Sequence, residues 1–208
     1  VAALGKMPID IKSLSVDALV ISAHKFGGPK GVGAIILNGG RLIIADPLLR
    51  GGGQEMRRRS GTENVASIVG MGAAAEEALA DMARESVRLD ALRARLLEGL
   101  RRTRPDIVVF GEHAPRLPNT LNIGVPGITS ETAVIAFDLA GVAVSSGSAC
   151  SSGKVKRSHV LDAMGVAPEL ADGALRFSLG WTTTEAEIDH AIAAFGRIAE
   201  SAARQVAA

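Results

Sequence analysis

Four short stretches of the 208-residue chain gather side chains that can do chemistry. Ser22-Ala23-His24-Lys25-Phe26-Gly27-Gly28-Pro29-Lys30-Gly31 brings together a hydroxyl, an imidazole, two amines and three glycines. A lysine fixed at a strand end can form a Schiff base with an aldehyde, and a loop of this kind can cradle a phosphate. It is not a nucleotide P-loop, because Gly-x-x-x-x-Gly-Lys-Ser/Thr is absent. A surface turn with ordinary lysines would carry the same residue types. The second stretch, Gly51 to Asn64, joins Gly51-Gly52-Gly53 to Arg57-Arg58-Arg59 and sets Ser60 and Thr62 before a helix. The first N–H groups of a helix favour anions, and a solvated loop with a routine cap is the plainer reading. The third, Ser145 to Gly153, surrounds Cys150 with small polar residues, and Lys154, Lys156, Arg157 and His159 follow. Those cations favour a thiolate, so a reactive thiol is expected over a small buried cysteine. The fourth, Leu175-Arg176-Phe177-Ser178-Leu179, sets a guanidinium among apolar strand residues. Its planar fork suits a carboxylate, either a ligand's or that of an internal ion pair.

Elements must position these groups. Asp17 to Ser22 reads as a buried strand that delivers Ser22, His24 and Lys25 to its end, where α/β sheets place ligands. Gly33 to Leu37 is a second strand, turned by Asn38-Gly39-Gly40 into a possible return strand over Arg41 to Ala45. Asn64 to about Arg102 is a long helix rich in Ala, Leu, Glu and Arg, with a possible break near Gly70 or Gly72. Leu89, Leu92, Leu96 and Leu100 recur at three- and four-residue steps and predict one buried stripe. Ile107 to Phe110, Thr120 to Ile123, Val142 to Val144 and Ala174 to Leu179 are further strands. Ser130 is expected to cap a helix running to Leu139, which Gly141 ends, Ser158 to Met164 forms a short helix, and Thr184 with Glu187 makes a capping box for the last one. Strands and helices alternate, so the class is α/β or α+β.

Composition narrows the function. Lys plus Arg number 23 and Asp plus Glu 22, a net charge of +1. No basic field points to nucleic acid or a membrane surface, and the arginine run lacks the interleaved aromatics of a nucleic-acid patch. One cysteine excludes an intrachain disulfide framework and a four-cysteine zinc site within the chain. His113 and His190 have no partners at metal-ligand spacing, so no metal site is expected. The opening Val1-Ala2-Ala3-Leu4-Gly5-Lys6 has neither the charged stretch nor the apolar core of a signal peptide.

Taken in order, the four stretches resemble the cysteine desulfurases, pyridoxal-phosphate enzymes of the class V aminotransferase group. The likeness runs from Gly5 to the last helix. It is specific in Ser22-Ala23-His24-Lys25 with Gly28-Pro29-Lys30-Gly31, in Arg59-Ser60-Gly61-Thr62, and in Ser145 to Cys150 followed by Arg176-Phe177-Ser178-Leu179. The serine-rich cysteine loop is similar to that of the group serving iron–sulfur cluster assembly or nitrogenase. The resemblance implies an α/β, type I pyridoxal-phosphate transferase fold. Residues 1–80 would be the end of the cofactor-binding large domain. Residues 81–208 would be the connecting helix and a small α+β domain with the cysteine loop.

The same resemblance assigns roles. Lys25 would hold pyridoxal 5'-phosphate, Ser22 and His24 its phosphate, and Thr62 the phosphate of the other subunit in a homodimer. Arg176 would clamp the carboxylate of L-cysteine. Cys150 would take the substrate sulfur as a persulfide, alanine would leave, and a sulfur-acceptor or iron–sulfur scaffold protein would receive the sulfur. The cytoplasm is the implied compartment. The basic run from Lys154 to Arg157 would help dock an acidic partner. The chain corresponds to the C-terminal half of the family's, so an N-terminal half with further cofactor ligands is implied. Arg50 stands before the triple glycine where a histidine is common. The alternatives are a selenocysteine lyase, an aminotransferase, or a non-catalytic C-terminal fragment.

Overall fold

The computed structural model describes residues 1–39, 42, 44–146 and 158–206. The chain divides into two compact units, Val1–Glu85 and Ser86–Ala208.

In the first unit, β1 (Ala18–Ser22) and β2 (Gly33–Leu37) pair antiparallel, from Ala18 opposite Leu37 to Ser22 opposite Gly33. Their Val, Ile and Leu residues suit a pleated, half-buried surface. Gly33 is required by close approach, since a Cβ there would stand 2.5 Å from the Ile21 carbonyl oxygen. The partner of β2 is therefore β1. Of the return strand expected over Arg41 to Ala45, residues 42, 44 and 45 are not in a strand, and the others lie outside the described residues.

Helix α1 (Val65–Thr103) runs from the first unit into the second. Asn64 caps it, its Oδ1 accepting from the Ser67 N–H at 3.2 Å. The helix runs unbroken through Gly70 and Gly72, where the sequence leaves a break open. Gly70 instead makes room for Pro29, whose Cγ would lie 2.8 Å from a Cβ at that position.

In the second unit, β3 (Val108–Val109), β4 (Thr120–Gly124), β5 (Ser145–Ser146) and β6 (Ala174–Ser178) form an antiparallel sheet in the order β3-β4-β6-β5. Helices α2 (Ser130–Leu139), α3 (His159–Ala163), α4 (Pro168–Asp172) and α5 (Glu185–Val206) complete it. Leu121 and Ile123 of β4 stand opposite Phe177 and Leu175 of β6, and all four are buried. They join Leu92, Leu96 and Leu100 of α1, Phe137 of α2, and Ile188 and Phe195 of α5 in one core. Each such side chain contributes about 1.5–3 kcal/mol on burial. Phe137 meets the Phe177 ring edge-on, with centroids 5.5 Å apart. The leucine stripe is buried as its spacing predicts, with Leu89 included.

Three local expectations need correction. Thr129, not Ser130, caps α2, because Thr129 is extended and its side chain accepts from the Thr132 N–H, whereas Ser130 is already helical and buried. The strand expected over Val142 to Val144 falls at Ser145–Ser146, because the Val142 N–H is still engaged by the Phe137 carbonyl at 2.8 Å in the close of α2. Helix α4 was not anticipated. The capping box of α5 forms as expected: the Thr184 N–H donates to Glu187 Oε2 at 2.8 Å and the Glu187 N–H to Thr184 Oγ1 at 3.3 Å. Arg95 of α1 grips Asp189 of α5 through two hydrogen bonds of 2.9 and 2.7 Å. Among the described residues no helix is long and apolar enough to cross a membrane.

Candidate active site

The described residues that the sequence singles out as candidates fall in both units. In the first unit, Ser22 ends β1 in extended conformation, and Ala23–Lys25 turn at once into a single 3₁₀ turn. Ala23 is fully buried and anchors that turn. Its N–H donates to the Val32 carbonyl at 3.0 Å, and its carbonyl accepts from Phe26 N–H at 3.0 Å and Gly28 N–H at 2.9 Å. The closed backbone leaves His24 and Lys25 exposed, with Ser22 half-buried beside them.

Ser22 Oγ and His24 Nδ1 share a hydrogen bond of 2.9 Å. If the hydroxyl donates, the ring proton sits on Nε2; if Nδ1–H donates, the hydroxyl proton is free. Either tautomer leaves one donor for an anion. Lys6 Nζ donates to the Lys25 carbonyl at 3.0 Å and to the Ala2 carbonyl at 3.2 Å. Burial pushes the Lys6 amine below its ordinary value, and the positive charge of Lys25 adds to the shift. Sequence reasoning missed Lys6; the contact spans 19 residues and leaves no local pattern.

Thr62 is exposed just before α1. Its approach is held by the Gly61 N–H on Gln54 Oε1 at 3.3 Å, and by Arg59 Nη1 on the Ser60 carbonyl at 2.8 Å. Among the described residues no hydrogen bond joins Thr62 to Ser22, His24 or Lys25. The structure thus brings Ser22, His24 and Lys25 together and holds Thr62 separately. Arg50 forms an exposed ion pair with Asp46 at 2.7 Å.

In the second unit, Arg176 occupies the middle of β6, opposite Asn122 of β4 and Ser145 of β5. Its neighbours Leu175 and Phe177 face the core, so Arg176 belongs to the other face of the strand. Its Nε is buried, with no hydrogen-bond partner among the described residues. Such an orphaned donor costs about 1–3 kcal/mol and calls for an acceptor. Strand β5 leads from the position opposite Arg176 directly into the cysteine stretch. Cys150, Lys154, Lys156 and Arg157 lie outside the described residues. Arg88 holds the turn after β6, donating to the carbonyls of Thr183 at 2.7 Å and of Gly180 and Trp181 at 3.1 Å. His190 donates from Nε2 to the Ala140 carbonyl at 2.8 Å.

A strand-end lysine beside a hydroxyl–imidazole pair, on a mixed α/β fold, defines a class before it defines a reaction. The aminotransferase class-V family model matches residues 1–191, and the chain belongs to that family. Among its relatives, the cysteine desulfurase IscS of Dictyoglomus turgidum is 44% identical over 200 residues, which are 96% of this chain and 50% of the relative. The cysteine desulfurase NifS of Azotobacter vinelandii is 47% identical over 192 residues, 92% of this chain and 47% of the relative. The solved NifS-like protein of Rickettsia africae superposes with a TM-score of 0.85 at 36% identity, over 95% of this chain and 51% of that one. The fold is accordingly the type I pyridoxal-phosphate transferase architecture that the resemblance implies. The chain spans about half the length of the curated relatives it matches.

Proposed function

We propose that the chain is the part of a pyridoxal-phosphate-dependent cysteine desulfurase that supplies the cofactor lysine, the substrate clamp and the sulfur-accepting cysteine. The observation that carries this reading is the turn at the end of β1, where Ser22 Oγ and His24 Nδ1 lie 2.9 Å apart immediately before Lys25. The donor set fits the cofactor. The hydroxyl–imidazole pair suits a phosphate dianion, the exposed Lys25 amine suits an aldehyde, and the orphaned Arg176 Nε suits the carboxylate of an amino acid. The names of the relatives, together with Cys150 in a stretch of small residues, support L-cysteine as that amino acid.

In this reading Ser22 and His24 hold the phosphate, and Thr62 reaches the phosphate of a second subunit. Arg176 orients L-cysteine by its carboxylate. When bound, pyridoxal phosphate supplies a sink for the electron pair released at the substrate Cα. The Lys25 amine accepts the proton from that Cα and returns one later. The Cys150 thiolate forms a bond to the substrate sulfur as the substrate Cβ–S bond breaks; the electron pair of that bond stays on Cβ, which takes up a proton equivalent to the one the Cys150 thiol has lost. Alanine leaves, and the persulfide stays on Cys150. Its onward acceptor is a sulfur carrier or an iron–sulfur scaffold protein, and the setting is a cytoplasmic homodimer completed by the family's N-terminal half.

The test is to give L-cysteine to the cofactor-loaded protein, measure alanine, and map the persulfide by mass spectrometry. Stoichiometric alanine with a persulfide on Cys150, both lost in Cys150→Ser, is the expected result. Transamination that persists in Cys150→Ser without any sulfur release would make the protein an aminotransferase instead.

A further inference from the structure

Lys6 belongs to no motif, yet its side chain reaches the backbone of the residue on which the proposed chemistry depends. Its Nζ donates to the Lys25 carbonyl at 3.0 Å and to the Ala2 carbonyl at 3.2 Å, so one amine ties two segments together. The segment that carries it is itself fixed. The Lys6 and Met7 N–H groups close a turn on the Ala3 carbonyl, at 3.0 and 3.2 Å. Gly5 takes a left-handed conformation (φ +72°) and sits where a Cβ would be 2.7 Å from the Ala78 Cβ in α1. Lys6 therefore projects from a seated turn, half-buried, rather than from a free loop.

We propose that Lys6 is a positioning residue, whose amine holds the Lys25 carbonyl and so fixes the turn that presents the Lys25 side chain to the cofactor aldehyde. The inference rests on the cofactor reading of Lys25 given above. Among the described residues the turn is otherwise closed through Ala23, whose carbonyl accepts from the Phe26 and Gly28 N–H groups and whose N–H donates to the Val32 carbonyl. Without Lys6, the carbonyl of Lys25 itself would lose the Lys6 donor. Burial, and after it the positive charge of Lys25, lowers the Lys6 amine from its ordinary value. The ammonium and the neutral amine both carry N–H donors, so the clamp does not depend on the charge of Lys6.

The experiment compares the chain with its Lys6→Met and Lys6→Arg variants by two measurements. One is hydrogen exchange across residues 23–28. The other is borohydride trapping of pyridoxal phosphate, read by peptide mass spectrometry as the yield at Lys25 relative to the exposed Lys12 and Lys30. Lys6→Met should exchange about 5- to 10-fold faster in that turn and lose selectivity for Lys25 by a similar factor, as expected for one lost hydrogen bond. Lys6→Arg, which keeps a donor, should restore both, and thermal melting should move little in either variant. Unchanged exchange and labelling in Lys6→Met would overturn the positioning role alone. Faster exchange with full Lys25 selectivity would also overturn it, leaving Lys6 a purely structural tie. If the unsubstituted chain shows no preference for Lys25, the cofactor reading fails, and the positioning role falls with it.

Discussion

Arg176→Met separates a ligand clamp from an internal structural charge. The native side chain carries a buried Nε with no hydrogen-bond partner among the described residues, in an inner strand of the second unit's sheet. Removing an unsatisfied buried donor relieves a cost of about 1–3 kcal/mol, and methionine keeps much of the apolar length. Melting should stay level or rise by about 2–4 °C. Binding should move the other way. A guanidinium on a carboxylate is charge-assisted, and its loss should cost about 2–4 kcal/mol, or roughly 30- to 1,000-fold in kcat/KM for L-cysteine. The assay is alanine release from the cofactor-loaded protein, beside a thermal melt. A thiol amine without a carboxylate, such as cysteamine, should bind both proteins alike. A melting temperature lowered by more than about 5 °C, with KM for L-cysteine unaltered, would refute the argument and make Arg176 half of an internal ion pair.

Three further outcomes follow from the packing. Gly33→Ala should destabilise the first unit by about 1–3 kcal/mol in a chemical melt, because its Cβ would stand 2.5 Å from the Ile21 carbonyl beside Ser22, and that backbone has no slack. Thr184→Ala should cost about 1 kcal/mol through loss of the α5 capping box, and Thr184→Ser should recover most of it. The hydrogen bonds from Arg95 hold the Asp189 carboxyl below the usual carboxylate range. A depressed acid stabilises the fold above its unfolded value near pH 4 and ceases to do so as pH falls through the folded one. Arg95→Met should therefore flatten the acid limb of stability against pH; an acid limb unchanged in that variant would contradict the linkage.

The helical and apolar signals were the legible ones. Leu89, Leu92, Leu96 and Leu100 show their stripe because a helix repeats its face every 3.6 residues, and the buried side of α1 is where that repeat places it. Thr184 and Glu187 are legible because a capping box has a fixed spacing. Boundaries decided by neighbours were not. Thr129 and Ser130 are adjacent hydroxyls, and the extended backbone of Thr129 with the burial of Ser130 settles which one caps α2. The start of β5 depends on how far the close of α2 holds the chain, and Pro168–Asp172 is too short for periodicity to show. At the site, Ser22, His24 and Lys25 are three residues apart at most, and a strand end gathers them without long-range help. The Lys6 contact to Lys25 and the Arg88 contacts to the turn at 180–183 join residues 19 and more than 90 positions apart. Nothing local encodes such pairs.

The central claim is that Lys25 carries the cofactor. Treating the chain with pyridoxal phosphate, reducing with borohydride and mapping the adduct by peptide mass spectrometry tests it directly. One dominant adduct on Lys25 is expected, weakened in Ser22→Ala and absent in Lys25→Ala. An adduct scattered over Lys12, Lys30 and other surface amines, with Lys25 no more labelled than they are, would contradict it.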